Sequence, residues 1–203
     1  MIQISLLPDA DVFYYKGFVS DELGTKLYET IKGLFEQENT KKIKYGENFY
    51  KLNRKTIAFV SPDLNIDVIP KIWGHEISII KFDENLIKLK EMIEEKTNFK
   101  FNICLANYYE NGKKTIGWHA DNEEKGSTSC IASISMGVTR DFKFRIKDQL
   151  DACLTIPLES NSLLIMAKNC QELYQHSVPP NKECTEPRLN LTFRLFDVER
   201  YTT

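Results

Sequence analysis

The sequence predicts an α+β fold in which a double-stranded β-helix, or jelly-roll, core is braced by N-terminal helices. Two observations predict it. Apolar residues recur at helical spacing in two stretches before residue 100, whereas from Phe101 onward short strand-like segments are separated by turn-forming residues. Many short strands within about 100 residues are typical of two packed sheets or a barrel, and not of alternating β-α-β units.

The two predicted helices span 20–37 and 83–97. Ser20 and Asp83 belong to the residue types that cap helix N-termini, so each helix is expected to begin directly after one of them. The apolar residues expected to face the core are Leu23, Leu27, Ile31 and Leu34 in the first helix and Leu86, Leu89, Met92 and Ile93 in the second.

A basic and aromatic stretch, KKIKYGENFYKLNRKTIAFV, follows the first helix. Gly46, Glu47 and Asn48 lie between two short strand-like runs, which predicts a β-hairpin. Residues 61–76 are expected to be irregular. The strands predicted in the C-terminal half are 101–109, 115–119, 130–137, 141–147, 153–157, 162–166, 173–177 and 188–197.

Length and composition indicate an ordinary globular chain. The 203 residues fit one domain, and 27 basic against 29 acidic residues give 27 − 29 = −2, which excludes a wholly basic surface but allows a local basic face. Five scattered cysteines without a CxxC pair predict reduced thiols, mostly buried. Without a signal peptide or a long apolar run, the protein is expected to be intracellular, in the cytoplasm or nucleus, and not to bind a membrane.

The pair His119 and Asp121 is the first candidate for chemistry. On a strand, side chains at i and i+2 project from the same face, so this pair offers two adjacent metal ligands that a distant histidine can complete. Two imidazoles and one carboxylate leave open positions, which suits iron(II), an oxoacid and dioxygen. Alone, the pair is a weak motif, because a surface histidine beside a solvated aspartate is the commoner case.

The segment RLNLTFRL, residues 188–195, alternates polar and apolar side chains. By itself it reads as a half-exposed strand with Arg188, Asn190, Thr192 and Arg194 in water. Alternatively the polar face looks into a barrel that binds a dicarboxylate between the two arginines, while Leu189, Leu191, Phe193 and Leu195 pack on the helices. Asn107 and Tyr109 repeat the i, i+2 pattern on an earlier strand and could donate hydrogen bonds to the same anion.

These residues together strongly resemble the AlkB family of nucleic-acid dealkylases, closest to the animal-type branch that repairs DNA. The family pattern is N-x-Y, H-x-D-x-E, a distal histidine and R-x-N-x-T-x-R. It is present in NYYENGKKTIGWHADNE, His176 and PRLNLTFR, and the last arginine lies 194 − 176 = 18 residues beyond that histidine. The resemblance covers about 100–197 and is much thinner over 1–99.

The resemblance implies an iron(II)- and 2-oxoglutarate-dependent dioxygenase that uses O2 to remove alkyl groups from bases such as 1-methyladenine and 3-methylcytosine. His119, Asp121 and His176 would bind the iron and form the catalytic centre. Arg194 would pair the distal carboxylate of 2-oxoglutarate and Arg188 would lie near its metal-side end. The residues implied to surround the co-substrate are Asn107, Tyr109, Arg188, Asn190, Thr192 and Arg194; Asn122 and Glu123 would approach the target base.

The N-terminal half would then recognise the substrate. Residues 1–99 are expected to supply helices and a nucleotide-recognition hairpin or lid, and residues 100–203 the jelly-roll catalytic core of a single domain. In the hairpin Tyr45 and Phe49 would stack on bases, and Arg54 with neighbouring lysines would contact phosphates. Trp73 is a candidate for the base pocket. An ordinary amphipathic hairpin with exposed lysines is the alternative.

The expected partner is single- or double-stranded DNA, with RNA left open, and the protein is expected to be a monomer. A 2-oxoglutarate oxygenase that hydroxylates a protein side chain or a small molecule would share the iron and co-substrate residues. A non-enzymatic barrel-shaped binding module would be marked by a lost ligand, and none is lost. A zinc hydrolase would have no use for the arginine strand.

Overall fold

The computed structural model describes residues 5–39, 42–45, 48–65, 67, 77–121 and 127–197. Within these ranges the side chains of 42–45, 48–50 and 127 are not described. None of the helices in the described part of the chain is long and apolar enough to span a membrane.

Three helices occur in these ranges: α1 (Asp21–Glu36), α2 (Glu84–Thr97) and the short α3 (Cys170–Leu173). Ser20 and Asp83 are the N-caps of α1 and α2, and their side-chain oxygens accept the backbone N–H of Leu23 and Leu86. Both predicted starts are confirmed, because each cap satisfies an amide that has no partner inside its helix.

Most of the strands form a larger sheet, here called the major sheet, in the order β1-β11-β8-β13-β6-β4-β5. Its strands are β1 (Val12–Tyr15), β4 (Lys55–Val60), β5 (Ser78–Lys81), β6 (Ile103–Tyr109), β8 (Ser127–Gly137), β11 (Ser162–Met166) and β13 (Arg188–Leu195). Among the strands that the structure describes, only the β4–β5 pair is parallel.

A second sheet, here called the minor sheet, has the order β10-β9-β12-β7. Its strands are β7 (Ile116–His119), β9 (Arg140–Ile146), β10 (Leu154–Leu158) and β12 (Tyr174–Val178). A separate hairpin pairs β2 (Lys42–Tyr45) with β3 (Asn48–Lys51), and its turn residues 46 and 47 lie outside the described part. The predicted hairpin is therefore confirmed in its strands.

The core is divided by the major sheet. On one face Leu189, Leu191 and Phe193 pack with α1 and α2 residues such as Leu27 and Leu89. On the other face a second cluster, including Val12, Ile131, Phe142, Phe144, Ile156 and Leu164, fills the space between the two sheets. The predicted α+β class with a jelly-roll core is confirmed, since two antiparallel sheets enclose a common interior and the helices cover one outer face.

Two features were not predicted, and one prediction is wrong. Strands β1, β4 and β5 precede residue 100 and join the major sheet, so this sheet draws on both halves of the chain. Helix α3 has only four residues, too few to show a period. The prediction that Leu195 packs on the helices is wrong: the pairing of β13 with β8 shifts register after Phe193, and Leu195 is exposed.

All five cysteines are free. Cys104, Cys130 and Cys170 are buried as predicted, whereas Cys153 is exposed. Burial raises the pKa of Cys104 above its ordinary range and the pKa of both Cys130 and Cys170 to about 12. These three thiols therefore stay protonated at neutral pH and behave as small apolar side chains.

Candidate active site

Two histidines from neighbouring strands of the minor sheet form the centre of the site. His119 on β7 and His176 on β12 are directly opposite each other in the antiparallel pairing. Their ring centroids lie 4.3 Å apart. Because directly opposite side chains share a face of the sheet, this register alone brings residues 57 positions apart in the chain into contact.

Asp121 completes the group two residues beyond the end of β7. Its carboxylate oxygens lie 3.7 Å from Nε2 of His119 and 3.8 Å from Nε2 of His176. One potential ligand atom from each of the three residues lies within 4.8 Å of the others. The predicted convergence of the triad is confirmed in its geometry.

The hydrogen bonding of His119 fits metal binding. Its Nδ1 lies 2.8 Å from the carbonyl oxygen of Gly117. A carbonyl oxygen can only accept, so Nδ1 carries the proton and Nε2 keeps its lone pair for a metal ion. His176 is oriented differently: its Nδ1 is buried without a hydrogen-bond partner among the described residues, and its ring stacks on Phe142 at 5.1 Å between centroids.

The protonation states also fit a metal ion. Burial opposes ionisation of Asp121, but the Arg194 guanidinium and the two imidazoles outweigh it and lower the pKa of this carboxyl to about 2. Burial lowers the pKa of His176 to about 3, although Asp121 acts in the opposite direction. At neutral pH the group therefore contains an ionised carboxylate and a neutral His176 imidazole, which are the ligating forms.

The polar face of β13 points into the interior, as predicted. Arg188, Asn190, Thr192 and Arg194 are all buried. The Nδ2 of Asn190 donates to the hydroxyl of Ser133 on β8 at 2.8 Å, and the Thr192 hydroxyl donates to Asn190 Oδ1 at 3.1 Å. The half-exposed alternative for this strand is thereby excluded.

Arg188 lies at one end of this face. Its Nη2 donates to the Ser135 hydroxyl at 2.9 Å, and its guanidinium carbon is 5.3 Å from the centroid of the Tyr109 ring. Its Nε is buried without a partner, and within the described part of the chain no carboxylate pairs with it. Burial lowers the pKa of Arg188 from its ordinary value, and Tyr109 partly offsets this. Such an environment favours a bound anion.

Arg194 lies at the other end, beside the triad. Its Nη2 is 3.1 Å from Oδ2 of Asp121. The prediction that Arg194 takes the end away from the metal, with Arg188 near it, is therefore wrong. The spacing of the two arginines along β13 is visible in the sequence, but only the stacking of the two sheets decides which end of the strand faces the histidines.

Two residues of β4 and β6 extend this interior face. Asn107 pairs with Asn190 on one side and with Thr56 on the other, and its Oδ1 accepts from Nε of Arg54 at 2.6 Å. Arg54, which is predicted to contact phosphate, thus contacts a predicted co-substrate residue; its phosphate contact stays a prediction. The Thr56 hydroxyl is buried without a hydrogen-bond partner among the described residues.

Several other predicted substrate residues fall outside the described part of the structure. Asn122, Glu123 and Trp73 lie outside the described residues, and so do the side chains of Tyr45 and Phe49. Lys55, one of the lysines predicted to contact phosphate, is paired with Glu110 at 3.3 Å and donates to the Phe35 carbonyl oxygen at 3.1 Å.

Three further residues of the site were not predicted. Ser133 and Ser135 hold Asn190 and Arg188, and their i, i+2 spacing in IASISMG was a usable signal for one face of a strand. Gln171 on α3 accepts the backbone N–H of Asp121 at 2.8 Å. Nothing in the sequence around Gln171 indicates this contact, because it joins residues 50 apart through an element too short to predict.

Comparison with known proteins agrees with this site. Residues 11–194 match the family described as the 2OG-Fe(II) oxygenase superfamily. The chain is 35% identical over 159 residues to the mouse protein named "Alpha-ketoglutarate-dependent dioxygenase alkB homolog 3", covering 74% of this chain and 49% of the mouse protein. It is 38% identical over 117 residues to the human "DNA oxidative demethylase ALKBH2", covering 54% of this chain and 45% of the human protein.

The chain thus spans about half or less of the length of these curated relatives. Among solved structures it resembles that titled "The structure of OsALKBH1", with a TM-score of 0.67 at 18% identity, covering 94% of this chain and all of the other. That likeness concerns the fold. Given the family match over most of its length and the convergence of two histidines, an aspartate and a buried arginine strand, the chain belongs to the 2OG-Fe(II) oxygenase superfamily.

Proposed function

We propose that this protein is an iron(II)- and 2-oxoglutarate-dependent dioxygenase that removes N-alkyl groups from bases of nucleic acids, such as 1-methyladenine and 3-methylcytosine. The observation that carries the proposal is the arrangement of one interior face. A His119–Asp121–His176 group lies at one end of it, and a buried Arg188 with no carboxylate partner among the described residues lies toward the other.

The three ligands are matched to iron(II). Two imidazole nitrogens and one carboxylate oxygen leave open positions for an oxoacid and dioxygen. Bound there, iron(II) supplies the activation of dioxygen that couples decarboxylation of 2-oxoglutarate to succinate with hydroxylation of the N-alkyl carbon. The hydroxylated group then leaves the base as an aldehyde.

The protein's own residues position the reactants. Arg194 neutralises part of the charge on Asp121 and fixes the orientation of its carboxylate. Arg188, held by Ser135 and facing Tyr109, would bind the far carboxylate of 2-oxoglutarate through charge-assisted hydrogen bonds. Asn190, Thr192 and Asn107 line the face between the two ends.

Apolar side chains shield the His176 side of the centre from water. Phe142 and Phe144 pack against His176, with ring centroids 5.1 and 6.2 Å from the imidazole. Water held away from the centre cannot compete with the co-substrate or intercept reactive species, and the electrostatic contacts inside become stronger. Burial here therefore serves both binding and chemistry.

A nucleic-acid substrate is supported by the human relative, whose name describes a DNA oxidative demethylase. A base inside a duplex hides its pairing edge, so the enzyme must act on single strands or flip the base out, at a cost of a few kcal/mol. The β2–β3 hairpin is the proposed element for this step, with Tyr45 and Phe49 stacking on bases. Asn122, Glu123 and Trp73 remain proposed contacts of the base, and an intracellular monomer is part of the same proposal.

The test is release of succinate and formaldehyde with iron(II), 2-oxoglutarate and oxygen. Oligonucleotides that carry 1-methyladenine or 3-methylcytosine are supplied as single- and double-stranded DNA and as RNA. Formaldehyde in proportion to repaired base is expected. Succinate release with a methylated oligonucleotide no faster than with its unmethylated match would contradict the proposal and favour a protein or small-molecule substrate.

The hairpin has a separate test. The double variant Tyr45→Ala, Phe49→Ala should retain repair of single-stranded oligonucleotides but lose most repair of duplexes, since base stacking contributes about 1–3 kcal/mol per base. Undiminished repair of duplex oligonucleotides by this variant would remove the proposed role of the hairpin.

A further inference from the structure

Gln171 connects the two separate parts of the metal-ligand group. It lies in α3, the four-residue helix that leads directly into β12 and therefore toward His176. Its Oε1 accepts the backbone N–H of Asp121 at 2.8 Å. The cross-strand pair His119–His176 already links β7 to β12, so the Gln171 contact adds a second link between the same parts of the chain.

The surroundings of Gln171 make this bond its main polar contact. The residue is 5% exposed. Its Nε2 faces only weak acceptors in the described part of the chain, Sδ of Met166 at 3.8 Å and Sγ of Cys170 at 3.9 Å. Because sulfur is a weak hydrogen-bond acceptor, the amide nitrogen contributes little stabilisation here. The hydrogen bond to Asp121 is thus the strong interaction of the side chain.

Asp121 needs such a contact because it lies beyond the end of β7. His119 is the last residue of that strand, so the ladder of strand hydrogen bonds no longer holds the backbone at position 121. Two contacts from distant elements then define the residue: Gln171 holds its amide, and Arg194 holds its carboxylate at 3.1 Å. Neither contact comes from β7 itself.

We propose that Gln171 is a positioning residue that sets the backbone at Asp121 so that its carboxylate points at the metal position. The proposal rests on the metal centre of the proposed function. It goes further by naming a residue that touches neither metal nor substrate. Removing a residue that hydrogen-bonds to a metal ligand typically lowers metal affinity or activity by about 10- to 100-fold.

The test compares substitutions that keep or remove the acceptor oxygen. Gln171→Met has similar length but only a thioether, whereas Gln171→Glu keeps an oxygen that can accept the Asp121 N–H. The control is Gln175→Met, the same exchange on β12 one residue before His176. The Gln175 side chain accepts from Nε of Arg145 at 2.9 Å and makes no described contact with the triad.

Metal affinity is measured by anaerobic calorimetry with Mn²⁺ as the probe, and the d–d absorption of bound Co²⁺ reports the ligand geometry. Gln171→Met should weaken Mn²⁺ binding about 10- to 100-fold and change the Co²⁺ spectrum. Gln171→Glu should recover most of the affinity, and Gln175→Met should match the unsubstituted protein. The KM for 2-oxoglutarate should change much less than the metal affinity.

Thermal unfolding of the metal-free variants separates positioning from folding. If Gln171→Met does not fold, Gln171→Asn replaces it, because it keeps the amide but withdraws the oxygen by one methylene. Mn²⁺ binding by the folded variant equal to that of the unsubstituted protein would overturn the role of Gln171 alone. Failure of the unsubstituted protein to bind Mn²⁺ would instead overturn the metal centre, so the two failures are distinguishable.

Discussion

The two arginines of β13 are both buried in the same interior face, but they differ in what surrounds the charge. Arg194 is paired with Asp121 at 3.1 Å, whereas Arg188 meets a serine hydroxyl and the ring of Tyr109. A buried charge without an opposite charge is costly, so the Arg188 end is suited to an anionic ligand and the Arg194 end to holding a metal ligand. Two identical side chains six residues apart thus take different roles because of their neighbours.

Removal of a metal-binding side chain at the Arg194 end should have the largest effect on turnover and metal affinity. His176→Ala leaves His119 and Asp121 with no third protein ligand, and His176 is the buried histidine of the pair. We expect turnover to be abolished and Mn²⁺ affinity to fall by more than about 100-fold. Succinate release and calorimetry measure both. Near-normal Mn²⁺ binding by this variant would show that the triad is not the metal site.

Substitution at the Arg188 end should weaken the binding of 2-oxoglutarate and leave the binding of the metal unchanged. Arg188→Lys keeps the charge but loses the two-pronged geometry of the guanidinium. A charge-assisted hydrogen bond contributes roughly 1.5–3 kcal/mol, so the KM for 2-oxoglutarate should rise about 10- to 100-fold while Mn²⁺ affinity is unchanged. A KM that stays the same would contradict the assignment of this end.

Arg194→Gln tests the other end of the strand, where the guanidinium lies beside a metal ligand. Without the guanidinium, the pKa of Asp121 rises from about 2, because Arg194 is the largest of the charges that lower it. A carboxyl with a lowered pKa loses its ionised form only as the pH falls through that pKa, so the loss of Mn²⁺ binding on acidification should begin at higher pH in the variant. At neutral pH the affinity should fall roughly tenfold. Titrations with Mn²⁺ at a series of pH values measure this. The same pH dependence of Mn²⁺ binding at acidic pH in the variant and in the unsubstituted protein would contradict the prediction.

Substitution in the turn that supports the Arg188 end should have the smallest effect on 2-oxoglutarate binding. Gly112 donates its N–H to the Cys184 carbonyl oxygen at 2.8 Å, and a Cβ added at Gly112 would collide with the carbonyl oxygen of Asn181. Gly112→Ala should push apart the β6–β7 turn and the segment that leads into β13. We expect an increase of a few-fold in the KM for 2-oxoglutarate and a destabilisation of about 1–3 kcal/mol.

Gly33→Ala is the matched control for that substitution. Gly33 lies in α1, and an added Cβ there would have no heavy atom within 4 Å. Alanine favours helix by up to about 1 kcal/mol over glycine, so thermal unfolding should show a small stabilisation without a change in KM. A lower stability for Gly33→Ala than for Gly112→Ala would contradict the packing described for both.

Much of this comparison could be predicted from the sequence. Period-two alternation in 188–195 identified the polar face, and the H-x-D spacing identified His119 and Asp121 as neighbouring ligands. The expected shared strand face is wrong, because β7 ends at His119 and Asp121 lies beyond it. The orientation of the arginine strand relative to the metal could not be predicted, because it depends on how the two sheets stack and not on spacing within one strand. Gln171 was missed for a similar reason, since its partner is 50 residues away.

The most direct measurement is an anaerobic crystal structure of the protein with Mn²⁺ and 2-oxoglutarate. We expect Mn²⁺ to be bound by Nε2 of His119, a carboxylate oxygen of Asp121 and a ring nitrogen of His176, with the far carboxylate of 2-oxoglutarate on Arg188. Mn²⁺ bound elsewhere, or a far carboxylate on Arg194 with Arg188 unoccupied by any anion, would contradict it.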